Sequence, residues 1–171
     1  MASLMDELIA VMENEAVCYE DYLELANNKK EVIIKGDVPG LQQITQQEEI
    51  VAGQLFRLEK KRKGIIEDIC TVTNRSPESF TVSGLIRDMA ARPEESERLR
   101  QVADRLIDVL EKCNQMNQTN KMLIEQSLEF LEFTMNALSG LTGASSSQTY
   151  ARQGGAKDPH PGGGTQFDAK Q

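Results

Sequence analysis

Apolar side chains recur at alternating spacings of four and three from the first residues onward, the pattern of helices that bury a broad stripe. Leu4, Leu8, Val11, Cys18, Tyr22, Leu25 and Val32 share one stripe, and Met5, Ile9, Met12, Ala16, Tyr19, Leu23, Ala26 and Ile33 run beside it. Two adjacent stripes are too wide for a dimer seam, so a first helix over about residues 3–35 needs two neighbours. Lys35-Gly36-Asp37-Val38-Pro39 then offers a glycine for a positive φ, an aspartate as N-cap and a proline tolerated in a first helical turn.

The same spacing continues through Leu41, Ile44, Val51, Leu55, Leu58, Ile65, Ile69 and Val72, predicting a second helix over 38–72, antiparallel to the first. Residues 73–80 break the period, and a short connecting helix over 82–91 carries Leu85, Ile86 and Met89. Pro93, followed by Glu94, Glu95 and Glu97, opens the longest helix, 93–139, with Leu99, Val102, Leu106, Val109, Cys113, Met116, Leu123 and Phe130 on its seam and Gly140 as its stop. The expected fold is all-α: an elongated antiparallel three-helix bundle or coiled coil over residues 1–140, with a Gly/Ser-rich, disordered tail over 141–171.

Helix three exceeds its companions by a length on the order of 18 Å at 1.5 Å per residue. If its start is level with the foot of helix two, it overhangs from about Ser127. That end is also the most apolar. Leu123, Ile124, Leu128, Phe130, Leu131, Phe133, Met135 and Leu138 occupy more faces than one partner can cover, which points to a docking site on another chain; an ordinary buried helix is the alternative.

Composition narrows the class. The chain has 171 residues, 39% apolar and 5% aromatic with no Trp, which suits slim aliphatic seams. Acidic residues outnumber basic ones, 27 to 19, which disfavours nucleic acid as a partner. No run of eighteen apolar residues would insert in a membrane, and Met1-Ala2-Ser3-Leu4-Met5-Asp6-Glu7 lacks a signal-peptide layout, so a cytoplasmic location is expected. Cys18, Cys70 and Cys113 are odd in number, widely spaced and near apolar stripes, as buried reduced thiols would be.

Candidate chemistry is sparse. His160 is the only histidine, no Gly-x-Ser-x-Gly is present, the Glu-x-x-His of di-iron bundles is missing, and Gly162-Gly163-Gly164 lacks the lysine of a phosphate loop. No enzyme activity, cofactor or metal is expected. Asp6, Glu7, Glu13, Glu15, Glu20, Asp21 and Glu24 read as a solvated negative back on helix one or a surface for a basic partner. Lys60, Lys61, Arg62 and Lys63 read as a salt-bridged surface facing helix one. Asn117 and Asn120 fall on apolar stripes, where an amide can fix register or mark exposure.

The chain resembles the FlgN family of flagellar type III export chaperones over roughly residues 1–155. The resemblance is carried by the acidic first helix, the turn Lys35-Gly36-Asp37, the segment from Asn117 to Phe130, and Thr149-Tyr150. It implies a cytosolic chaperone that binds the C-terminal amphipathic helices of the hook-filament junction proteins FlgK and FlgL. Such a chaperone keeps these clients from assembling early and brings them to the export gate. Leu123, Leu128, Phe130, Leu131, Phe133 and Met135 would line the client groove, and Tyr150 would dock to the export-gate protein FlhA. After Tyr150 stands Ala151-Arg152-Gln153-Gly154 rather than the family's small glycine-rich pattern. The competing class is a structural coiled-coil scaffold, a permanent homodimer in which the same apolar end is covered by a second copy.

Overall fold

Ser3 starts the first helix with a reciprocal cap: its hydroxyl accepts the Asp6 N–H at 3.2 Å, and its own N–H donates to the Asp6 carboxylate at 3.3 Å. A computed structural model describes residues 3–89 and 91–141. Four α-helices follow in order: α1 Leu4–Lys35, α2 Val38–Thr73, α3 Val82–Asp88 and α4 Pro93–Leu141, with a 3-10 turn at Pro77–Ser79. No strand occurs among the described residues. The expected tail lies outside the described residues from 142 onward, as do Tyr150 and His160.

The α1–α2 turn forms as its chemistry dictates. Gly36 takes φ +67°, its N–H donates to the Ile33 carbonyl at 3.1 Å, and the Asp37 N–H reaches the Val32 carbonyl at 2.9 Å. Asp37 then caps α2 by accepting the Gly40 N–H at 3.0 Å. At the far end of α2, Asn74 supplies the left-handed residue with φ 52°.

The chain divides into two compact units, residues up to Phe133 and those after it. In the first unit, Leu8, Ile9 and Met12 of α1, Ile65 and Ile69 of α2, Leu85 and Met89 of the connector and Leu99 and Val102 of α4 form one core cluster. Partners run in opposite directions on α1 and α2: Lys29 meets Glu48, Cys18 meets Gln54, and Glu15 meets Arg62. On α1 and α4 they run together, as Cys113 meets the Tyr19 carbonyl and Asn120 the Ala26 carbonyl, both at a chain separation of 94. Hence α2 is antiparallel and α4 parallel to α1. The described part of the second unit, residues 134–141, is helical.

Several expectations require correction. The connecting helix stops at Asp88, not 91, where Met89 leaves the helical conformation and donates its N–H to the Leu85 carbonyl at 3.1 Å. The Arg92 N–H closes a turn on the Met89 carbonyl at 2.7 Å. Gly140 does not end α4, which continues to Leu141; among the described glycines, only Gly36 has a positive φ.

The negative back of α1 is also divided. Glu15 is 3% exposed and faces Arg62, Glu20 pairs with Arg105, and Asp6 pairs with Arg98. Of the four consecutive cations on α2, Arg62 alone reaches α1, since Lys60, Lys61 and Lys63 are exposed.

Candidate functional site

The register between α1 and α4 decides what α4 leaves uncovered. Extending the separation of 94 to the end of α1 places Lys35 level with Glu129, so Phe130 to Phe133 lie past the last residue of α1. Two amides hold this register. Asn120, 3% exposed, donates through Nδ2 to the Ala26 carbonyl at 2.7 Å, and exposed Asn117 accepts the Tyr22 hydroxyl at 3.0 Å. A buried amide with one good partner specifies alignment in a way that an aliphatic side chain does not.

The candidate residues fall into two sets. Leu123 and Ile124 are half-buried where α4 still faces its neighbours. Leu128, Leu131, Phe130 and Phe133 are exposed, the last three at 57%, 68% and 71% respectively, and Met135 and Leu138 of the second unit are exposed as well. Fully burying a side chain of this kind is worth about 1.5–3 kcal/mol, so a contiguous exposed group is a surface with affinity to offer.

Five of the first unit's candidates, Leu123, Ile124, Leu128, Phe130 and Leu131, border a groove of about 650 Å³. Its α4 wall is Leu123, Ile124, Leu128, Phe130 and Leu131; its opposite wall is Val32, Ile34, Val38 and Leu41, from the end of α1 and the start of α2. Ile34 and Val38 are themselves exposed. A shallower depression shares Val38 and Leu41 and continues along α2 to Thr45 and Gln46. The sequence reading omitted this second wall. One signal was present: Ile34 is off the stripe that contains Ile33, so α1 ends with an apolar residue that has no place in its own core.

Elsewhere the structure offers less. A cleft of about 450 Å³ by the connector is floored by the core residues Met5, Ile69, Leu85 and Met89, and its Arg75 and Asp88 pair with each other. Among the described residues, no group of three or more His, Cys, Asp or Glu side chains is arranged to hold a metal ion. None of their helices is long and apolar enough to cross a membrane.

Electrostatically, the interior holds three unbridged cysteines and a buried glutamate paired with an arginine. Cys18, Cys70 and Cys113 are buried and unbridged, and burial pushes the Cys18 and Cys113 thiols above their ordinary range. Glu15 has Arg62 Nε 3.0 Å from Oε1, to which it donates, and 2.9 Å from Oε2. Burial raises the Glu15 carboxyl above its usual value, and the Arg62 hydrogen bond opposes that shift. Glu20 shows the reverse: bonded by Arg105 through both Nε and Nη2, it is held below the usual range.

Comparison with known proteins adds one finding: the sequence profile of the family described as FlgN protein matches residues 1–158. No curated protein and no solved structure matches the chain.

Proposed function

Since the chain belongs to the FlgN family of flagellar chaperones, we propose that its groove between α4 and the α1–α2 turn is where a client helix docks. The clients are the C-terminal amphipathic helices of the hook-associated proteins FlgK and FlgL, held in the cytoplasm and delivered to the type III export gate. The observation that carries this reading is the exposure of Phe130, Leu131 and Phe133 at a place where α1 has ended, with exposed Leu128 just before it.

An amphipathic helix laid in this groove would have its apolar face covered from two sides, by helix-in-groove packing. Met135, one of the expected client-binding residues, has a side chain flexible and polarisable enough to adapt to two different client stripes. The protein works as a binding surface, without nucleotide, metal or catalytic step. Tyr150 is assigned to docking at FlhA, so Tyr150→Ala spares client binding and impairs export.

Size-exclusion chromatography with light scattering tests the proposal. On addition of a FlgK C-terminal fragment, the chaperone forms a defined heterocomplex. A permanent scaffold would instead remain a homodimer that ignores the fragment, which would refute the assignment.

A further inference from the structure

Most Lys and Arg side chains among the described residues stand in ion pairs, from Lys29 with Glu48 to Lys121 with Glu125. Apart from Lys30 and Arg87, those that do not are clustered: Arg57, Lys60, Lys61 and Lys63, all exposed on α2. Glu59 and Glu67, each four residues from Lys63, do not come within ion-pair distance of it, nor does Asp21 of Arg57, with which it borders a depression. In a chain of net charge −8, this is a concentrated and uncompensated positive patch.

The helix turns these charges outward. Ile44, Ile65 and Ile69 mark the buried face of α2, and at about 100° per residue Lys60 falls nearly opposite to it. Two rows cross at Lys60: Gly53, Arg57, Lys60 and Gly64 in steps of four, three and four, and Phe56, Lys60 and Lys63 in steps of four and three. Phe56 is 68% exposed, and nothing lies within 4 Å of where a Cβ would stand on Gly53 or Gly64. Arg57 with Lys60, Arg57 with Lys61, and Lys60 with Lys63 are like charges one turn apart, an arrangement that weakens a helix. Nothing within α2 gains from it.

We propose that this face of α2 docks a short acidic segment of another protein, with carboxylates on Arg57, Lys60, Lys61 and Lys63 and an apolar side chain on Phe56. Arg57 lies about 24 Å along α2 from Leu41 in the groove wall, so a client and this second partner can be held at once.

The extent of the patch decides the class of partner. Glu49 precedes it and Glu67 and Asp68 follow it, so the positive charge is confined to about 9 Å of helix axis. A nucleic acid or an anionic membrane is negative over a far longer stretch, and would also meet those acids and the field of an acidic molecule. A few carboxylates seated on the patch meet neither. The chain's own C-terminal segment does not fit, since Asp158 and Asp168 are outnumbered there by Arg152, Lys157 and Lys170.

The test uses the full chain and two labelled peptides of about ten residues, enough to cover the patch in extended form. One is rich in Glu around a single Phe; the other has Gln in place of every Glu. Fluorescence anisotropy at low salt should show the Glu peptide binding at least about tenfold tighter, with the ratio shrinking as salt is added. Lys60→Glu with Lys61→Glu should weaken the Glu peptide at least about tenfold, and Phe56→Ser about threefold with its salt dependence kept. Lys30→Glu with Arg87→Glu makes the same change in net charge elsewhere, and should leave affinity within about twofold of wild type.

A Glu peptide that binds no better than its Gln counterpart overturns the proposal. So does a control variant that loses as much as the patch variant, because the effect then belongs to net charge. If the Glu variant loses helicity by circular dichroism, Lys60→Gln with Lys61→Gln decides, and undiminished binding there contradicts the proposal. Phosphatidylserine vesicles or single-stranded DNA bound through Lys60 and Lys61, when the Glu peptide is not, would give the surface to a membrane or a nucleic acid. A homodimer that Lys60→Glu with Lys61→Glu dissociates, and that the Glu peptide leaves undisturbed, would give it to a second copy. Either result refutes the assignment.

Discussion

Asn120 donates a 2.7 Å hydrogen bond through Nδ2 to the carbonyl of Ala26, across the interface between the longest helix and the first. That bond sits three helical turns before the end of the groove, and it sets which residues of α4 have a neighbour on α1. Shifting α4 by one residue would separate donor from acceptor and leave a buried amide without its partner, which costs about 1–3 kcal/mol.

Replacing Asn120 by Leu should therefore separate stability from alignment. Unfolding free energy changes by no more than about 1 kcal/mol, since an apolar residue suits the interface, while the amide spectrum broadens or doubles as registers become comparable in energy. Asn120→Asp, which buries a carboxylate against a carbonyl oxygen, should destabilise by about 3 kcal/mol. Chemical denaturation and two-dimensional NMR read the two effects.

Glycine substitutions should have opposite signs at two positions. Gly36 meets nothing within 4 Å of an added Cβ, so the cost of Gly36→Ala is its left-handed backbone, about 1–2 kcal/mol. Gly53 is an interior helical residue with equally open space, so Gly53→Ala should stabilise by about 0.5–1 kcal/mol. Urea midpoints at constant slope decide this.

The buried carboxylate at Glu15 has a defined pH signature. Its folded pKa is raised above 4.5, so between that value and the folded pKa the native state holds more proton than the unfolded chain, and its contribution to stability falls as pH rises. Glu20 and Asp6 act oppositely: both are lowered by hydrogen bonds, from Arg105 for Glu20 and chiefly from Ser3 for Asp6. Their stabilising contribution is present above their ordinary values and lost as pH falls through the depressed ones. Glu15→Gln should remove the descending component just above 4.5 and leave the acid limb in place, as measured by thermal midpoints across the acidic range.

Thiol chemistry gives an independent check on packing. With Cys18, Cys70 and Cys113 buried, a thiol-reactive dye should label the native protein slowly and all three positions promptly in denaturant. Prompt native labelling at Cys113 would mean that the α1–α4 interface near Tyr19 opens far more easily than the structure indicates.

Much of this architecture is written in local chemistry. The cap at Ser3, the Gly36-Asp37 reversal, the start at Pro93 and the apolar stripes each depend on neighbours within one or two turns, so spacing alone finds them. The crowding of apolar residues after Leu123 is legible for the same reason. What spacing does not contain is the offset between helices distant in sequence. The bond between Asn120 and Ala26 fixes it, and it places the end of α1 near Glu129, slightly later than helix lengths suggest.

Pairings of α1 with α4, such as Glu20 with Arg105 and Asp6 with Arg98, likewise depend on that offset, which is why a run of acids resembles a solvated face until its cations come into view. The second wall of the groove was missed because Ile34 and Val38 belong to no stripe; their role arises only where the turn meets α4.

The most direct measurement is a binding titration of Phe130→Ser with Leu131→Ser against the C-terminal helix of FlgK, with circular dichroism run in parallel. Both residues are exposed, so the account predicts unchanged helicity, a stability change within about 0.5 kcal/mol, and loss of client binding. Undiminished affinity in the variant would contradict it, as would a melting transition that collapses, because the first would take the client elsewhere and the second would make these side chains part of the protein's own core.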